Sequence, residues 1–292
     1  MRDFDFLKPA TLAEAIAMRS SLGEEACLFA GGTALLLGMR QRLVNPKTVI
    51  ALGGLADLRA IAFDSQHGLR VGALARHTDL ARSPELRTHT PMLAHMAARM
   101  ANPQVRNQGT LGGNLCYADP ATDPPTALMA LRASVVLAGP DGERTLAIED
   151  FLVDYYATAL GASEILKEIR VPPPAPGSRG IYVRHLRTAA EHRPVANLAL
   201  VVERKGAVCT RARLVVGAAT AVPCIAAKAG EYLTGKTVTL EVAAEAGRRL
   251  AQEITPISDL RGDGAFRRAI VGVIAKRAVA EAFGLDWKGA QA

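Results

Sequence analysis

The sequence predicts an α+β protein of two domains, because short helices and strands alternate irregularly in its first part and strands precede helices in its second. The chain has 292 residues, more than the roughly 100 to 200 residues of a usual domain. Hydrophobic residues make up 49% of it, which is enough for a continuous core. The proline-rich run Pro172–Gly177 fits neither a helix nor a central strand. We therefore expect domains at residues 1–175 and 176–292.

The first domain is predicted to open with a helix over residues 11–20, in which Thr11 is the N-cap and Glu14 its capping-box partner. A short apolar strand, Cys27–Ala30, breaks at Gly31–Gly32 and leads into a helix over residues 33–40. The pattern further predicts strands over 48–52, 69–73, 134–138 and 145–148, with helices over 91–100 and 126–132 before and after a second glycine cluster at 109–114.

The second domain is predicted to be an antiparallel sheet followed by helices. The pattern gives strands over 181–186, 198–203 and 211–217 and helices over 225–233, 240–254 and 265–283. In the last helix, Phe266, Ile270, Val273, Ile274 and Ala278 recur at helical spacing, so this stripe should face the sheet while Arg267 and Arg268 lie mostly off it.

Composition disfavours several function classes. The formal net charge is +7, but the basic residues are scattered, and only 4% of residues are aromatic, which leaves little stacking surface for nucleic acid. An anionic small molecule or an acidic partner surface explains the charge better. No apolar run approaches the roughly 20 residues of a membrane-spanning helix, so no membrane span is expected.

The cysteines are expected to be free thiols of a cytoplasmic protein. Cys27, Cys116, Cys209 and Cys224 lie far apart and form no C-x-x-C pair, which argues against an iron–sulfur cluster, a zinc site or a disulfide framework in this chain. The start of the chain lacks the apolar segment of a signal peptide. The six histidines form no metal-ligand motif, so surface or satisfied structural positions and no metal site are expected.

One segment, Gly230–Thr237, matches the phosphate-loop pattern G-x-x-x-x-G-K-T. A phosphate loop follows a buried strand and opens a helix, whereas the residues before Gly235 are predicted to be helical. Gly235 is therefore interpreted as a helix C-terminal glycine, which leaves a phosphate-loop ATPase as the weakest hypothesis.

Two other glycine clusters fit a phosphate-containing ligand better. Around Gly31–Gly32 the missing side chains let the backbone curl and expose N–H groups beside a helix start, where an anion is favoured. Around Gly112–Gly113 the same device recurs with polar neighbours. Each glycine pair alone is also compatible with a plain turn. Because the dinucleotide-binding motif G-x-G-x-x-G is missing, the two pairs do not identify the ligand.

Two carboxylates follow the second glycine cluster. Asp119 and Asp123 are close enough in sequence to reach back and accept hydrogen bonds from sugar hydroxyls. Solvated loop carboxylates are the alternative interpretation.

Taken together, these residues resemble those of the flavin-binding medium subunits of carbon monoxide dehydrogenase and related molybdenum hydroxylases, and the central FAD domain of xanthine dehydrogenases. The resemblance covers nearly the whole chain, and its combination of motifs is specific. It rests on residues 4–12, Ala30–Thr33, residues 106–115 with T-L-G-G-N-L, Ala118–Pro120 with Asp123, Arg261–Gly262 and Phe266–Arg268.

The resemblance implies a FAD-binding domain of the vanillyl-alcohol oxidase type, with subdomains at about residues 1–57 and 58–175, followed by a smaller α+β domain. FAD would lie between the subdomains, with both glycine turns at its pyrophosphate. The implied FAD-binding residues are Leu28, Phe29, Ala30, Gly31, Gly32, Thr33, Ala34, Leu35, Ala101, Thr110, Gly112, Gly113, Asn114, Thr122, Asp123, Leu166 and Arg184.

Arg184 stands near where many relatives carry a lysine that approaches the flavin ring. By resemblance it would stabilise reduced, anionic flavin, but unlike lysine it would not exchange protons. A solvated arginine at a strand edge is the alternative.

The resemblance also implies partners. Electrons would pass from a molybdenum-binding large subunit through the [2Fe-2S] clusters of a small subunit to FAD, and from there to an external acceptor, in a dimer of heterotrimers. No catalytic acid or base is assigned to this chain. A self-sufficient flavin oxidoreductase and a non-catalytic nucleotide-binding module of the same fold remain alternatives. Neither the substrate of the complex nor its terminal electron acceptor follows from the sequence.

Overall fold

A computed structural model describes residues 1–288, and its first layer is a small parallel sheet. The strands run in the order β1-β3-β2, and both pairs are parallel. Thr11 caps the first helix by accepting a hydrogen bond from the Glu14 amide at 3.1 Å, as predicted. The elements are β1 (Asp5–Leu7), α1 (Leu12–Leu22), β2 (Ala26–Phe29), α2 (Leu35–Arg40) and β3 (Thr48–Ala51).

The next part of the chain, residues 61–171, forms an antiparallel sheet covered by short helices. The strand order is β4-β5-β10-β6-β7. The elements are β4 (Ile61–Asp64), β5 (Gly68–Gly72), α3 (His77–Arg82), α4 (Pro84–His89), α5 (Pro91–Arg99), α6 (Pro103–Gln108), α7 (Leu111–Tyr117), α8 (Pro124–Ala130), β6 (Ser134–Gly139), β7 (Gly142–Ala147), α9 (Ile148–Phe151), β8 (Leu152–Asp154), β9 (Ala157–Thr158) and β10 (Ile165–Val171).

The C-terminal part is an antiparallel sheet with helices on one face, which confirms the predicted α+β class. The strand order is β11-β12-β13-β14. The elements are β11 (Arg179–His185), β12 (Ala196–Lys205), β13 (Val208–Gly217), β14 (Cys224–Ile225), α10 (Ala227–Leu233), α11 (Leu240–Glu253) and α12 (Gly264–Ala282).

The C-terminal sheet is buried on both faces because successive side chains of a strand point to opposite sides. On β12, Leu198 and Leu200 pack into the core beneath α10, α11 and α12. Ala199, on the opposite face, joins Tyr182 and Val215 in the core that contains α5 and α8. One hydrophobic core therefore crosses from the first part of the chain into the second.

The predicted buried stripe of α12 is wrong at three positions. Phe266 and Val273 are 41% and 43% exposed, whereas Arg267 is fully buried. The Arg267 guanidinium is satisfied internally: Nη1 donates to the carbonyls of Val195 and Ala218, and Nη2 donates to Asp259 Oδ1 at 2.5 Å. A buried charge with such partners overrides the apolar periodicity of the helix.

Several elements escaped the sequence analysis. The central strand β10 carries Glu168, which is buried yet paired with Arg70 and Arg170, so its pattern is not apolar.

The second glycine cluster was predicted to be a turn, but Gly112 and Gly113 lie in the first turn of helix α7. No helix within residues 1–288 is both long and apolar enough to cross a membrane.

Candidate functional site

The first glycine turn follows β2 and is held in place by close backbone packing. A Cβ at Gly31 would collide with the Gln108 carbonyl oxygen and stand 2.9 Å from Gly109 Cα. Gly32 has φ +72°, in the left-handed region that favours glycine, and lies against the Phe29 ring. The amides of Gly31, Gly32, Thr33 and Ala34 donate no hydrogen bond within residues 1–288. This turn therefore presents free donors to a ligand.

The second glycine pair works differently from the prediction. The Gly112 amide donates to the Ala73 carbonyl at 2.8 Å, and the Gly113 amide donates to Thr110 Oγ1 at 3.1 Å. These amides are therefore already used inside the protein. A Cβ at Gly113 would stand 3.7 Å from Ala30 Cβ, so this pair supplies a side-chain-free wall facing the first turn.

A cavity of about 480 Å³ lies where the two turns meet. Ten of the predicted FAD-binding residues line it: Leu28, Ala30, Gly31, Gly32, Ala34, Leu35, Thr110, Gly112, Gly113 and Leu166. Cys116 and Tyr117, which were not predicted, also line it. Burial raises the pKa of Cys116 to about 12, so its thiol is protonated at neutral pH. The lining is mostly apolar, as small-molecule sites usually are.

Beside this cavity, one polar atom is left without a partner. Asn114, on α7 directly after Gly113, has its Oδ1 buried and makes no hydrogen bond through it within the described residues. Buried polar groups are nearly always hydrogen-bonded, so an orphaned carboxamide directly after Gly113, which lines the cavity, indicates a polar ligand. A diphosphate attached to a sugar has the hydroxyls and oxygens that these groups require.

Asp123, Tyr182 and Arg184 form a second cluster where β11 meets the start of α8. The Tyr182 hydroxyl donates to Asp123 Oδ1 at 2.6 Å, and Arg184 Nε lies 3.3 Å from the same oxygen. Burial raises the pKa of Asp123, while Arg184 and Tyr182 oppose that rise. Burial also raises the pKa of Tyr182 well above its usual value. Tyr182 was not predicted as a site residue, because its contact with Asp123 spans 59 positions of sequence.

Arg184 is not the solvated arginine of the alternative interpretation, because its side chain is only 10% exposed. It donates hydrogen bonds to the carbonyls of Arg99 and His192. Ala101, two residues beyond Arg99, has φ +44°, and its carbonyl accepts from Arg106 Nη1 at 3.0 Å. Arg184 therefore contacts the segment that leads to Ala101.

The carboxylates that follow the second glycine pair are not solvated either. Asp119 and Asp123 are both 2% exposed. Asp119 pairs with Arg193 and accepts from the Ala121 amide at 2.9 Å. Thr122 lies between them, and its carbonyl accepts from Asn197 Nδ2 at 3.0 Å.

Seven of the predicted FAD-binding residues do not line the cavity: Phe29, Thr33, Ala101, Asn114, Thr122, Asp123 and Arg184.

His77 supports the second turn and was missed by the sequence analysis, which expected surface or satisfied histidines. It is 2% exposed, and its Nδ1 has no hydrogen-bond partner in the described part of the chain. A Cβ at Gly109 would stand 3.1 Å from the His77 ring. Burial, and then the charge of Arg106, lowers the pKa of His77 to about 4. The imidazole is therefore neutral at pH 7.

The phosphate-loop pattern is a helix end, as interpreted. Gly230 lies inside α10, and Gly235 follows the C-cap Thr234 with φ +81°. The amide of Gly235 donates to the Cys209 carbonyl at 2.7 Å. This segment contributes no residue to the cavity.

Comparison with known proteins agrees with this fold. A family model described as the FAD binding domain in molybdopterin dehydrogenase matches residues 2–174. A second, described as the CO dehydrogenase flavoprotein C-terminal domain, matches residues 181–282. Fold and site thus define a FAD-binding flavoprotein.

Individual relatives match over nearly their full length. The carbon monoxide dehydrogenase medium chain of Hydrogenophaga pseudoflava is 33% identical, with 94% of this chain and 96% of the relative covered. The nicotine 6-hydroxylase medium subunit of Paenarthrobacter nicotinovorans is 31% identical, with 95% and 96% covered. A solved structure of carbon monoxide dehydrogenase from H. pseudoflava matches with a TM-score of 0.92 at 33% identity, covering 97% of this chain and 98% of that one. The chain belongs to the family of FAD-binding medium subunits of molybdenum hydroxylases, whose members are oxidoreductase subunits.

Proposed function

We propose that this chain holds FAD and relays electrons from an iron–sulfur subunit to an external acceptor. When bound, FAD supplies redox chemistry that amino-acid side chains lack. The observation that carries the proposal is the meeting of two glycine turns beside free amides and the orphaned carboxamide of Asn114. The chain's own part is to bind, orient and shield the cofactor.

Each group of residues has a distinct part in this proposal. The free amides of residues 31–34 bind the pyrophosphate, and Asn114 offers its carboxamide to the cofactor. Leu166 and Ala101 act as wall contacts. Arg184 places a permanent cation beside Asp123, near the flavin ring. Leu28, Phe29, Ala30, Leu35, Thr110, Gly112, Gly113 and Thr122 complete the predicted set.

The proposed assembly contains a molybdenum-binding large subunit and a small subunit with [2Fe-2S] clusters, as a dimer of heterotrimers. Support comes from two relatives that match over nearly their whole length and are named for different substrates, carbon monoxide and nicotine. A subunit shared between such different chemistries fits an electron relay better than a substrate site. Substrate choice is accordingly assigned to another chain.

Domain division and compartment also belong to the proposal. We place boundaries near residues 57 and 175, and the separate sheets of residues 5–51, 61–171 and 179–225 support this division. The four cysteines are free thiols, which fits a reducing cytoplasm.

The proposed binding of FAD is tested by changing Asn114 to leucine, which keeps the size of the side chain but removes the orphaned oxygen. FAD affinity should fall about tenfold, because roughly one hydrogen bond is lost. Fluorescence titration of the flavin-free chain with FAD measures this. The free energy of unfolding without FAD should not fall, since an unsatisfied buried group is removed.

Asn107→Leu is the matched control. Asn107 lies on the neighbouring helix α6, is exposed and accepts a hydrogen bond from Thr78 at 2.6 Å. It should leave FAD affinity unchanged. If Asn114→Leu binds FAD as tightly as the original chain, the proposed site is wrong.

The proposed electron relay through FAD is tested in the purified complex. After dithionite reduction, electron delivery to a dye acceptor should depend on FAD, disappearing when FAD is removed and returning when it is restored. Turnover of an organic substrate by this chain alone would favour the self-sufficient oxidoreductase. Absence of flavin absorbance would favour the nucleotide-binding module.

A further inference from the structure

A second cavity, of about 650 Å³, lies between helix α5 and the start of strand β11. The linker at residues 174–178 forms part of its wall, so the cavity lies where the FAD-binding part meets the C-terminal sheet. It shares no lining residue with the cavity at the glycine turns. Small-molecule sites occupy about 300–1,000 Å³ and often form between domains. This cavity is therefore large enough for a ligand of its own.

The N-terminus of α5 borders this cavity with two unpaired polar groups. Thr90 is the N-cap residue, and a threonine there normally accepts a hydrogen bond from an amide of the first turn. The Thr90 side chain makes no such bond; it is 4% exposed, and its Oγ1 has no partner in the described part of the chain. The Met92 amide also donates no hydrogen bond within residues 1–288. Both residues line the cavity, and buried polar groups are nearly always paired, so a polar ligand is indicated.

A cation lies beside this helix end. Arg179, the first residue of β11, lines the same cavity, and its Nη1 donates a long hydrogen bond, at 3.3 Å, to the Ala282 carbonyl. A Cβ at Gly180 would stand 2.9 Å from Met92 Cβ, so the strand that carries Arg179 passes directly beside the first turn of α5. The hydroxyl, the amide and the guanidinium can all donate hydrogen bonds, and the helix dipole adds positive charge. This set of groups suits an anion.

Among the described residues that line the cavity, Glu281 is the one acidic residue. It is exposed near the end of α12, and its charge acts on His95, which is also exposed and lines the cavity. Burial and the charge of Arg99 lower the pKa of His95, and Glu281 opposes them. Solvent screens an exposed carboxylate of this kind, so it does not cancel the attraction of the cavity for an anion.

Much of the remaining wall is apolar. Leu131 and Val201 pack at the edge of the core that contains α5 and α8, but they are only partly buried because they also face the cavity. Pro174 and Pro176 line the linker side. A ligand with an apolar body would remove these side chains from water, which is favourable. Inorganic phosphate would leave them exposed.

We propose that this cavity binds a small organic carboxylate with an apolar body. The carboxylate accepts hydrogen bonds from the Thr90 hydroxyl, the Met92 amide and Arg179, whose planar guanidinium matches two carboxylate oxygens. The apolar body covers Leu131 and Val201. This inference does not depend on the proposed function.

Benzoate, which combines a carboxylate with an apolar ring, is the probe. Calorimetric titration of the full chain in the presence of FAD should give a dissociation constant below about 10 mM. Benzamide, which has nearly the same shape but no charge, should bind at least about tenfold more weakly, and so should inorganic phosphate. Absence of benzoate binding, or equal affinity for benzamide or phosphate, would overturn the proposal.

Two variants locate the ligand. Thr90→Val keeps the shape of the side chain, and Arg179→Gln removes the cation. Each should lower benzoate affinity at least about tenfold, because a hydrogen bond to a charged group is lost. Thr145→Val, at an exposed position of β7, is the matched control and should bind benzoate normally. Unchanged affinity in both cavity variants would show that benzoate binds elsewhere and the assignment is wrong.

Stability and flavin content keep these results interpretable. Thr90→Val should not lower the free energy of unfolding, since it removes an unsatisfied buried hydroxyl. Neither Thr90 nor Arg179 lines the cavity at the glycine turns, so both variants should keep their FAD as judged by flavin absorbance. Missing flavin in the original chain would overturn the proposed function, whereas the benzoate titrations alone decide this second site.

Discussion

At the candidate site, glycines act more through their missing side chains than through unusual backbone angles. Only Gly32 among the four site glycines has a positive φ. Gly31 and Gly112 are required because a Cβ would collide with Gln108 and with Ala73. Close backbone approach is a property of three-dimensional packing. The sequence marks these glycines as turns, but it does not tell which backbone they face.

His77 is the clearest single-residue source of pH dependence. Its pKa is lowered to about 4 by burial and by Arg106, against an ordinary value of 6.5. The unfolded chain therefore takes up this proton at higher pH than the folded one. The contribution of the neutral His77 to the unfolding free energy is therefore fully present above pH 6.5 and is lost as the pH falls towards 4.

We predict that His77→Leu flattens this acid dependence. The original chain should lose about 3 kcal/mol of unfolding free energy through His77 between pH 6.5 and 4, and the variant should lack that part. Urea denaturation at a series of pH values measures it. Leu80→Ala, at another fully buried position of α3 whose side chain does not titrate, should lower stability at every pH and keep the slope. An equal slope in His77→Leu would contradict the assignment.

At the scale of elements, α12 shows what apolar periodicity captures and what it misses. Its limits were predicted to within about a residue. Ile274 and Ala278 are buried as predicted, but the stripe was wrong at Phe266 and Val273, and Arg267 is buried instead. Close packing adds a second reason. A Cβ at Gly247 of α11 would collide with the Gly272 carbonyl of α12, so small residues set the contact between these helices.

Arg267→Leu should lower the unfolding free energy by about 3–5 kcal/mol, because Asp259 and two carbonyls lose their buried partner. Thermal and urea denaturation check this. Arg268→Leu, at the next and exposed position, should change stability by less than about 0.5 kcal/mol. Similar losses in both variants would show that the buried network is not the cause.

At the scale of the whole molecule, polar contacts join the FAD-binding part to the C-terminal sheet. Asn197 on β12 is fully buried; it accepts from Thr126 Oγ1 at 2.8 Å and donates to the Thr122 carbonyl at 3.0 Å. A Cβ at Gly217 would collide with Thr126. These contacts hold α8 against β12 and β13, close to the Asp123–Tyr182 pair.

Replacing Asn197 by leucine should loosen this junction. The unpaired Thr126 hydroxyl and Thr122 carbonyl each cost about 1–3 kcal/mol. Amide hydrogen exchange should speed up in α8 and β12 together. Asn45→Leu, at an exposed position whose side chain donates to the Arg42 carbonyl, is the control. Faster exchange confined to one side would show that the two parts are not coupled here.

Much of the fold could be predicted from local pattern, while the site could be predicted only in part. The Thr11 cap, strands β6 and β7 and the Gly235 helix end are local signals, and all are present. The Asp123–Tyr182 and Asp119–Arg193 contacts join distant positions, so spacing alone could not reveal them. Local sequence also hid the internal use of the Gly112 and Gly113 amides.

The contact of Gly31 with Gln108 and Gly109 has a consequence for how a ligand is received. Since backbone meets backbone there through the protein's own packing, the receiving surface is already rigid before anything arrives. Little entropy then remains to be lost on association. A cofactor bound to such a preorganised surface should dissociate slowly and stay with its subunit through many rounds of oxidation and reduction.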